Sequence, residues 1–127
     1  ELISVIYGTN NLVNDVQNLY LQEFENARIE YNNKQTREDR KIQNYLEHIS
    51  KNSNRDLCCE LIIELGDMNF WQDKTKEYCY KMVQVYKEQL QDFVTTVPQF
   101  KIANAVIHFD ETSPHLHIIG IPIKERI

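Results

Sequence analysis

Two apolar segments joined by a short polar loop near the end of the chain constrain the fold most. Residues 102–109 and 115–122 both have the composition of strands, and only the five residues 110–114, Asp-Glu-Thr-Ser-Pro, separate them. Strands joined by so short a loop pair with each other as an antiparallel hairpin, because a parallel pair needs a crossover of a dozen or more residues. The chain is therefore predicted to contain an antiparallel sheet.

Further strands and helices are predicted around this hairpin. Apolar residues that recur every second position, or every third to fourth, predict strands at 2–7 and 57–65 and helices at 11–32, 36–51 and 71–96. Thr36 resembles the N-cap of the second helix, and Pro98 is expected to end the third. Strands and helices do not alternate regularly, so the predicted fold class is α+β: a single domain, residues 1–127, with an antiparallel sheet and helices on one of its faces.

Three of the four histidines lie on the predicted hairpin. His115 and His117 are two residues apart on one strand, so their rings leave the same face about 7 Å apart. The short loop brings His108 beside His115, at a cross-strand distance of about 5 Å. Three imidazoles on one face can bind a divalent ion and leave positions open for water or a substrate oxygen. The predicted metal ligands are therefore His108, His115 and His117.

Two acidic residues in the loop add to this candidate site. Asp110 and Glu111 could accept an imidazole N–H, position a metal-bound water or coordinate the ion directly. Imidazoles alone suit zinc, nickel or iron, whereas carboxylates and phosphate oxygens at the open positions favour magnesium or manganese. The sequence leaves the identity of the metal open.

The charge distribution bears on nucleic-acid binding. A formal net charge of -5 argues against a broad, nonspecific nucleic-acid surface. Residues 28–55 nevertheless carry seven Lys and Arg against four acids. The candidates there for contacts with DNA phosphates are Lys34, Arg37, Arg40 and Lys41. A solvated helix face is the default interpretation of such a cluster.

The cysteines and the hydropathy pattern indicate the compartment. Cys58, Cys59 and Cys79 lack CxxC spacing and are expected to be reduced, buried thiols of a cytoplasmic protein. No stretch approaches the roughly 20 apolar residues of a membrane-spanning helix. Since the chain begins at Glu1 and stops soon after the histidine hairpin, it is expected to be a fragment of a longer protein.

The hairpin motif also resembles a known family. His-x-Asp-Glu-x-x-Pro-His-x-His at 108–117, followed by an apolar run at 118–123, resembles the third motif of the MobV/Pre family. Members of this family are plasmid mobilisation relaxases, also described as plasmid recombination enzymes, and they belong to the HUH endonucleases. The segments 34–40, 60–66 and 100–105 are similar in a looser way, so the resemblance covers most of the chain from about residue 12.

This resemblance implies a bacterial DNA-nicking enzyme with an HUH-endonuclease-like fold. His108, His115 and His117 would bind manganese or magnesium, with zinc or nickel as alternatives, and Glu111 would support the ligands, with Asp110 as a second candidate. The ion would polarise the scissile phosphate of single-stranded DNA at a transfer origin, in conjugative mobilisation or plasmid recombination.

The sequence departs from the family at its beginning. Family members carry a short N-terminal motif of His, Asn and Arg that supplies the nucleophile, and no such motif stands before residue 12. The nucleophile is therefore expected to be absent from this chain, which would bind metal and DNA without turnover. Tyr45, near the basic segment, is a minor candidate for that role, although it also lies on the apolar stripe of its helix. The full-length enzyme is expected to act by transesterification through a covalent protein–DNA intermediate.

Two other interpretations stay open. One is a rolling-circle replication initiator or another metal-dependent phosphodiesterase, and a catalytic tyrosine on a helix after the His-x-His strand would favour the initiator. The other is a non-catalytic module that binds DNA or uses a metal for stability. Such a module would hold a coordinatively closed metal, and it would unfold when His117 is replaced. Oligomeric state is not indicated by the sequence.

Overall fold

The computed structural model describes residues 3–52, 54–109 and 113–124. In chain order its elements are β1 (Ile3–Tyr7), α1 (Leu12–Asn33), a 3-10 turn (Glu38–Arg40), α2 (Tyr45–Ser50), β2 (Cys59–Glu64), α3 (Met68–Trp71), α4 (Lys76–Tyr80), α5 (Met82–Thr96), β3 (Phe100–His108) and β4 (His115–Pro122).

The four strands form one sheet in the order β1-β3-β4-β2, and every neighbouring pair is antiparallel. The predicted hairpin is present as β3 and β4, which occupy the centre of the sheet. The α+β class with an antiparallel sheet is therefore confirmed. The later strand β4 separates β3 from β2, an order that no local sequence pattern indicates.

One face of the sheet carries the main core. Ala105 and Ile107 on β3 and Leu116 and Ile118 on β4 are fully buried, and they pack with residues of α5, among them Tyr86. Each fully buried Leu or Ile side chain contributes about 1.5–3 kcal/mol through its removal from water. Because side chains alternate along a strand, this burial directs the intervening residues to the opposite face.

The opposite face is covered only in part. Val16, Leu19 and Tyr20 of α1 pack against Ala103 and Ile121, near the end of the hairpin that is remote from its loop. Towards the loop end of the same face, Ile3, Val5 and Ile62 remain exposed. The expectation that helices cover one face only is therefore wrong, because an apolar stripe shows that a helix packs but not against which face.

The predicted helix at 36–51 is also wrong in its first half. Residues 38–40 form a 3-10 turn, and α2 begins only at Tyr45, where Asn44 rather than Thr36 is the N-cap. The side chain of Asn32 accepts a hydrogen bond from the backbone N–H of Ile42 and donates one to its carbonyl oxygen, both at 2.8 Å. These tertiary hydrogen bonds satisfy backbone groups of Ile42 outside a helix, and they outweigh the local helical periodicity.

The predicted helix at 71–96 is divided into α3, α4 and α5. Asp67 caps α3 by accepting from the N–H of Phe70 at 2.9 Å, and Thr75 caps α4 by accepting from the N–H of Tyr78 at 3.1 Å. Trp71 is buried, and its indole N–H donates to the carbonyl oxygen of Leu65 at 2.7 Å. The end of the helical region before Pro98 is confirmed, since α5 ends at Thr96.

A buried carboxylate joins the first loop to the sheet. Asp15 accepts hydrogen bonds from the backbone N–H of Thr9 at 2.8 Å, from the Thr9 hydroxyl at 2.9 Å and from the Asn104 side-chain amide at 2.9 Å. Gly8 has a φ of 81°, and a Cβ there would lie 2.8 Å from both the Ala103 carbonyl oxygen and a carboxylate oxygen of Asp15. Burial alone would raise the pKa of Asp15, but the hydrogen bonds from Thr9 and Asn104 outweigh it and hold the pKa below its ordinary value.

Replacing Asp15 by Asn should destabilise the fold in a pH-dependent way. A group whose pKa is lowered in the folded state stabilises above its unfolded pKa, and this contribution is lost as the pH falls through the lower folded value. We expect Asp15→Asn to lower the free energy of unfolding by about 1–3 kcal/mol at neutral pH, with a smaller loss in acid. Urea unfolding across the acid range measures this. The exposed Asp92→Asn should change stability by less than about 0.5 kcal/mol, and an equal loss for Asp15→Asn at all pH values would contradict the assignment.

Candidate metal centre

The three hairpin histidines lie on the partly covered face of the sheet. His108 pairs with His115 across the hairpin and Val106 pairs with His117, so the cross-strand pairing expected from the spacing is present. The ring centroids of His108 and His117 are 4.2 Å apart, and those of His115 and His117 are 6.3 Å apart. All three side chains are half-buried.

Strand β2 brings two carboxylates to the same histidines. Glu60 Oε2 lies 3.2 Å from His117 Nδ1, and Glu64 Oε2 lies 3.2 Å from His115 Nε2. The hydroxyl of Ser113 donates to the other carboxylate oxygen of Glu64 at 2.7 Å. Reasoning from the sequence missed both glutamates. Their alternation with Ile62 placed them on the outer face of a strand, but the pairing of β2 with β4 was not visible.

The contact with Glu60 bears on the tautomer of His117, which determines whether each ring nitrogen donates or accepts. An ionised carboxylate can only accept a hydrogen bond, so the Nδ1 of a neutral His117 carries the proton and Nε2 carries the lone pair. That Nε2 atom is buried and has no hydrogen-bond partner among the residues that the structure describes. A buried polar atom without a partner costs about 1–3 kcal/mol, which is compensated when the atom binds a ligand.

The three histidines are of a residue type that binds divalent ions, and they lie on the same face of the sheet. Their side chains are not arranged around one point. Within residues 3–52, 54–109 and 113–124, no group of three or more His, Cys, Asp or Glu side chains stands ready to hold a metal ion. The Nε2 of His115 lies 3.2 Å from Glu64 Oε2 and is thus directed to strand β2. Asp110 and Glu111, the predicted supporting acids, lie outside the described residues.

A shallow groove of about 210 Å³ runs beside His108 and His117. Ile3, Val5, Val106 and Ile119 give it an apolar floor, and polar groups around it come from Thr9, Asn10, Glu60 and Asn104. A larger cavity, about 570 Å³, lies between α1 and α2, and its lining includes none of the hairpin histidines. Because it is lined by two of the candidate ligands, His108 and His117, the smaller groove is the better candidate for the binding of a substrate.

The other candidate residues lie away from the groove. Tyr45 belongs to an aromatic cluster, with ring centroids 5.0 Å from Phe24 and 6.2 Å from Tyr20. It does not line the groove, and its position agrees with the interpretation as part of an apolar stripe.

The basic candidates lie on and around the 3-10 turn. Arg37 pairs with Asp39 at 2.6 Å and Lys41 pairs with Glu38 at 2.8 Å. Lys34 and Arg40 have no ion pair within the described part of the chain, and none of the four lines the groove. Since these side chains are largely solvated or paired locally, the structure provides no separate support for their contact with DNA.

A buried tyrosine anchors the start of β4. Tyr86 on α5 is fully buried, and its hydroxyl donates to the carbonyl oxygen of Pro114 at 2.9 Å and accepts from the N–H of Leu65 at 3.3 Å. Burial raises the pKa of this phenol, so it stays protonated. The main core is thereby connected to the residue that precedes His115.

We expect Tyr86→Phe to lower the free energy of unfolding by about 1–3 kcal/mol, because the buried backbone groups of Pro114 and Leu65 would lose a partner. Chemical denaturation measures this loss. Tyr31→Phe, at an exposed ring, is the matched control and should be close to neutral. A neutral Tyr86→Phe would mean that water replaces the hydroxyl and that this anchor is dispensable.

Comparison with known proteins identifies one related family. A family model described as plasmid recombination enzyme matches residues 8–126, a range that includes α1, β2 and the whole hairpin. Searches of the curated proteins and of the solved structures gave no significant match.

Two simpler properties are also settled for the described residues. None of their helices combines the length and apolar character that a membrane crossing requires. Cys58, Cys59 and Cys79 are free and partly buried.

Proposed function

The chain belongs to the plasmid recombination enzyme family, and we propose that its histidine hairpin serves the metal-dependent nicking of single-stranded DNA in plasmid mobilisation or recombination. The observation that carries the proposal is the buried Nε2 of His117, which has no partner in the described part of the chain and lies where His108 and His117 flank an open groove. A lone pair held in this way is suited to a metal ion.

The proposed ligands are His108, His115 and His117, and the proposed ion is manganese or magnesium. When bound, the ion supplies Lewis-acid stabilisation of the negative charge that develops on the phosphate. The chain itself contributes the support for these ligands: they stand on the two central strands, whose other face includes the fully buried Ala105, Ile107, Leu116 and Ile118. Asp110 and Glu111 are retained as proposed supporting acids.

The charges around the histidines favour DNA binding that depends on a bound metal ion. Glu60 and Glu64 stand next to the histidines, and their negative charge opposes the approach of a phosphate. A divalent ion bound by the three imidazoles would carry two positive charges that offset these carboxylates. DNA could then approach this site although the net charge of the chain is -5. The apolar floor of the groove is suited to the uncharged sugar or base next to the phosphate.

The proposed reaction is a transesterification. A nucleophile of the enzyme attacks phosphorus, one phosphorus–oxygen ester bond breaks, and the departing oxygen takes up a proton. The other end of the strand remains joined to the enzyme through a new covalent bond between phosphorus and the nucleophile. Tyr45 is not proposed as the nucleophile, because its ring packs with Tyr20 and Phe24 away from the groove.

Calorimetric titration of the chain with Mn²⁺ tests the metal site. We expect one ion to bind with a dissociation constant of about 1 μM, and we expect His117→Ala or His115→Ala to abolish binding. His48→Ala is the matched control, since His48 is exposed and stacks on Tyr45 at 6.2 Å. Unchanged binding by the His117 and His115 variants, or no binding by the parent chain, would contradict the proposed site.

Circular dichroism of His117→Ala separates the enzyme from a metal-stabilised module. We expect the variant to remain folded, because His117 lies on the partly open face and not in the main core. Unfolding of the metal-free variant, with a folded metal-free parent as reference, would favour a structural role for this residue.

A further inference from the structure

We propose that Glu60 is a positioning residue that selects the metal-binding tautomer of His117. Its carboxylate holds the proton on Nδ1, so the lone pair stands on Nε2 and is directed away from Glu60. This inference rests on the proposed metal site. The proposed site would then use a carboxylate from β2, which is distant in sequence from the histidine motif, in addition to the proposed loop acids Asp110 and Glu111.

The sheet pairing places Glu60 within reach of His117. On β2 and β4, Ile62 pairs with His117 and Glu60 pairs with Ile119, so Glu60 is the diagonal neighbour of His117 on the same face. Diagonal neighbours lie about 7–8 Å apart at the backbone, a distance that a glutamate and a histidine side chain can span together. Glu60 Oε2 and His117 Nδ1 are 3.2 Å apart.

The carboxylate acts on the ring through hydrogen bonding. Which nitrogen of a neutral histidine is protonated is set by the hydrogen bond that the other nitrogen makes. A histidine side chain in water favours the proton on Nε2, and that tautomer has no lone pair there for a metal. Glu60 opposes this preference, because an ionised carboxylate accepts only from a protonated Nδ1. The buried Nε2 is then left as the donor atom for the ion.

The contact contributes little to the stability of the fold. The side chains are 20% exposed for His117 and 49% exposed for Glu60. Because the Glu60 carboxylate keeps about half of its contact with water, its hydrogen bond to His117 largely replaces a hydrogen bond to water and adds little net stability. Variants at Glu60 are therefore expected to fold. Carboxylate partners of metal-ligating histidines typically change metal affinity by about 10–100-fold when removed, so the expected effect is large in binding and small in stability.

Three variants test the inference: Glu60→Ala removes the acceptor, Glu60→Gln keeps an acceptor oxygen without the charge, and Glu88→Ala removes an exposed carboxylate on α5 as a control. The first readout is the tautomer of His117, measured by nitrogen-15 NMR of the metal-free chain. We expect the Nδ1–H form in the parent, in Glu60→Gln and in Glu88→Ala, and a shift toward the Nε2–H form in Glu60→Ala.

The second readout is Mn²⁺ affinity by calorimetry. We expect Glu60→Ala to bind about 10–100-fold more weakly, Glu60→Gln to recover most of that loss, and Glu88→Ala to match the parent. Parent-like affinity and tautomer in Glu60→Ala would overturn the inference. Equal losses in Glu60→Gln and Glu60→Ala would overturn it as well, since they would indicate that Glu60 ligates the ion directly.

The same titration distinguishes this inference from the proposed function. If His117→Ala loses Mn²⁺ and Glu60→Ala does not, the metal site stands and the positioning role of Glu60 fails. If His117→Ala binds Mn²⁺ like the parent, the proposed site itself fails. The NMR readout requires no metal, so it tests the effect of Glu60 on the His117 tautomer in either case.

Discussion

Antiparallel pairing between β3 and β4 organises the rest of the molecule. The hairpin lies in the centre of the sheet, and its alternating side chains are divided between two different environments. Ala105, Ile107, Leu116 and Ile118 are buried under α5 on one face, which fixes His115 and His117 on the other. A one-residue change in register would exchange these faces. The hydrophobic effect on the core side therefore positions the polar side chains of the candidate site.

The edge strands β1 and β2 add further residues to the surface that carries the hairpin histidines. β2 pairs along β4 and brings Glu60 and Glu64 to the histidines, while β1 pairs along β3 and contributes apolar residues to the groove. Carboxylates beside imidazoles are a common second layer around metal ions, where they orient the ligand rings. In this chain the carboxylates come from a strand more than 50 residues before the His-x-His segment. The local motif and the distant strand thus contribute to one surface.

Polar groups tie this sheet to its surroundings at two points. Asp15 gathers hydrogen bonds from the Gly8–Thr9 loop and from Asn104 on β3, and Tyr86 connects the core to Pro114 at the start of β4. Buried polar networks of this kind specify one arrangement of elements because each missing partner is costly. Asn104 lines the groove with His108 and His117, whereas Tyr86 belongs to the core on the opposite face, so the central strands are contacted by a polar anchor on each face.

The sequence by itself determined the features that depend on neighbours along the chain. Period-two alternation and a short loop predict the hairpin and the shared face of His108, His115 and His117, and the irregular order of strands and helices predicts the α+β class. The 108–117 motif resembles the same family that the match over residues 8–126 identifies. The helix N-caps Asn44 and Thr75 fall inside the predicted helices at 36–51 and 71–96, which are therefore too long as single elements. The N-cap Asp67 starts the helical region at Met68, before the predicted residue 71.

Only the tertiary structure decided the features that depend on contacts between distant segments. The strand order, the packing of helices on both faces and the presence of Glu60 and Glu64 beside the histidines arise from pairings that carry no local signature. The extended path near Ile42 likewise depends on hydrogen bonds from Asn32 on α1. The physical reason is common to all of these: side-chain periodicity reports that a surface will be buried or exposed, whereas the partner that covers it is chosen by the free energy of the whole packed chain.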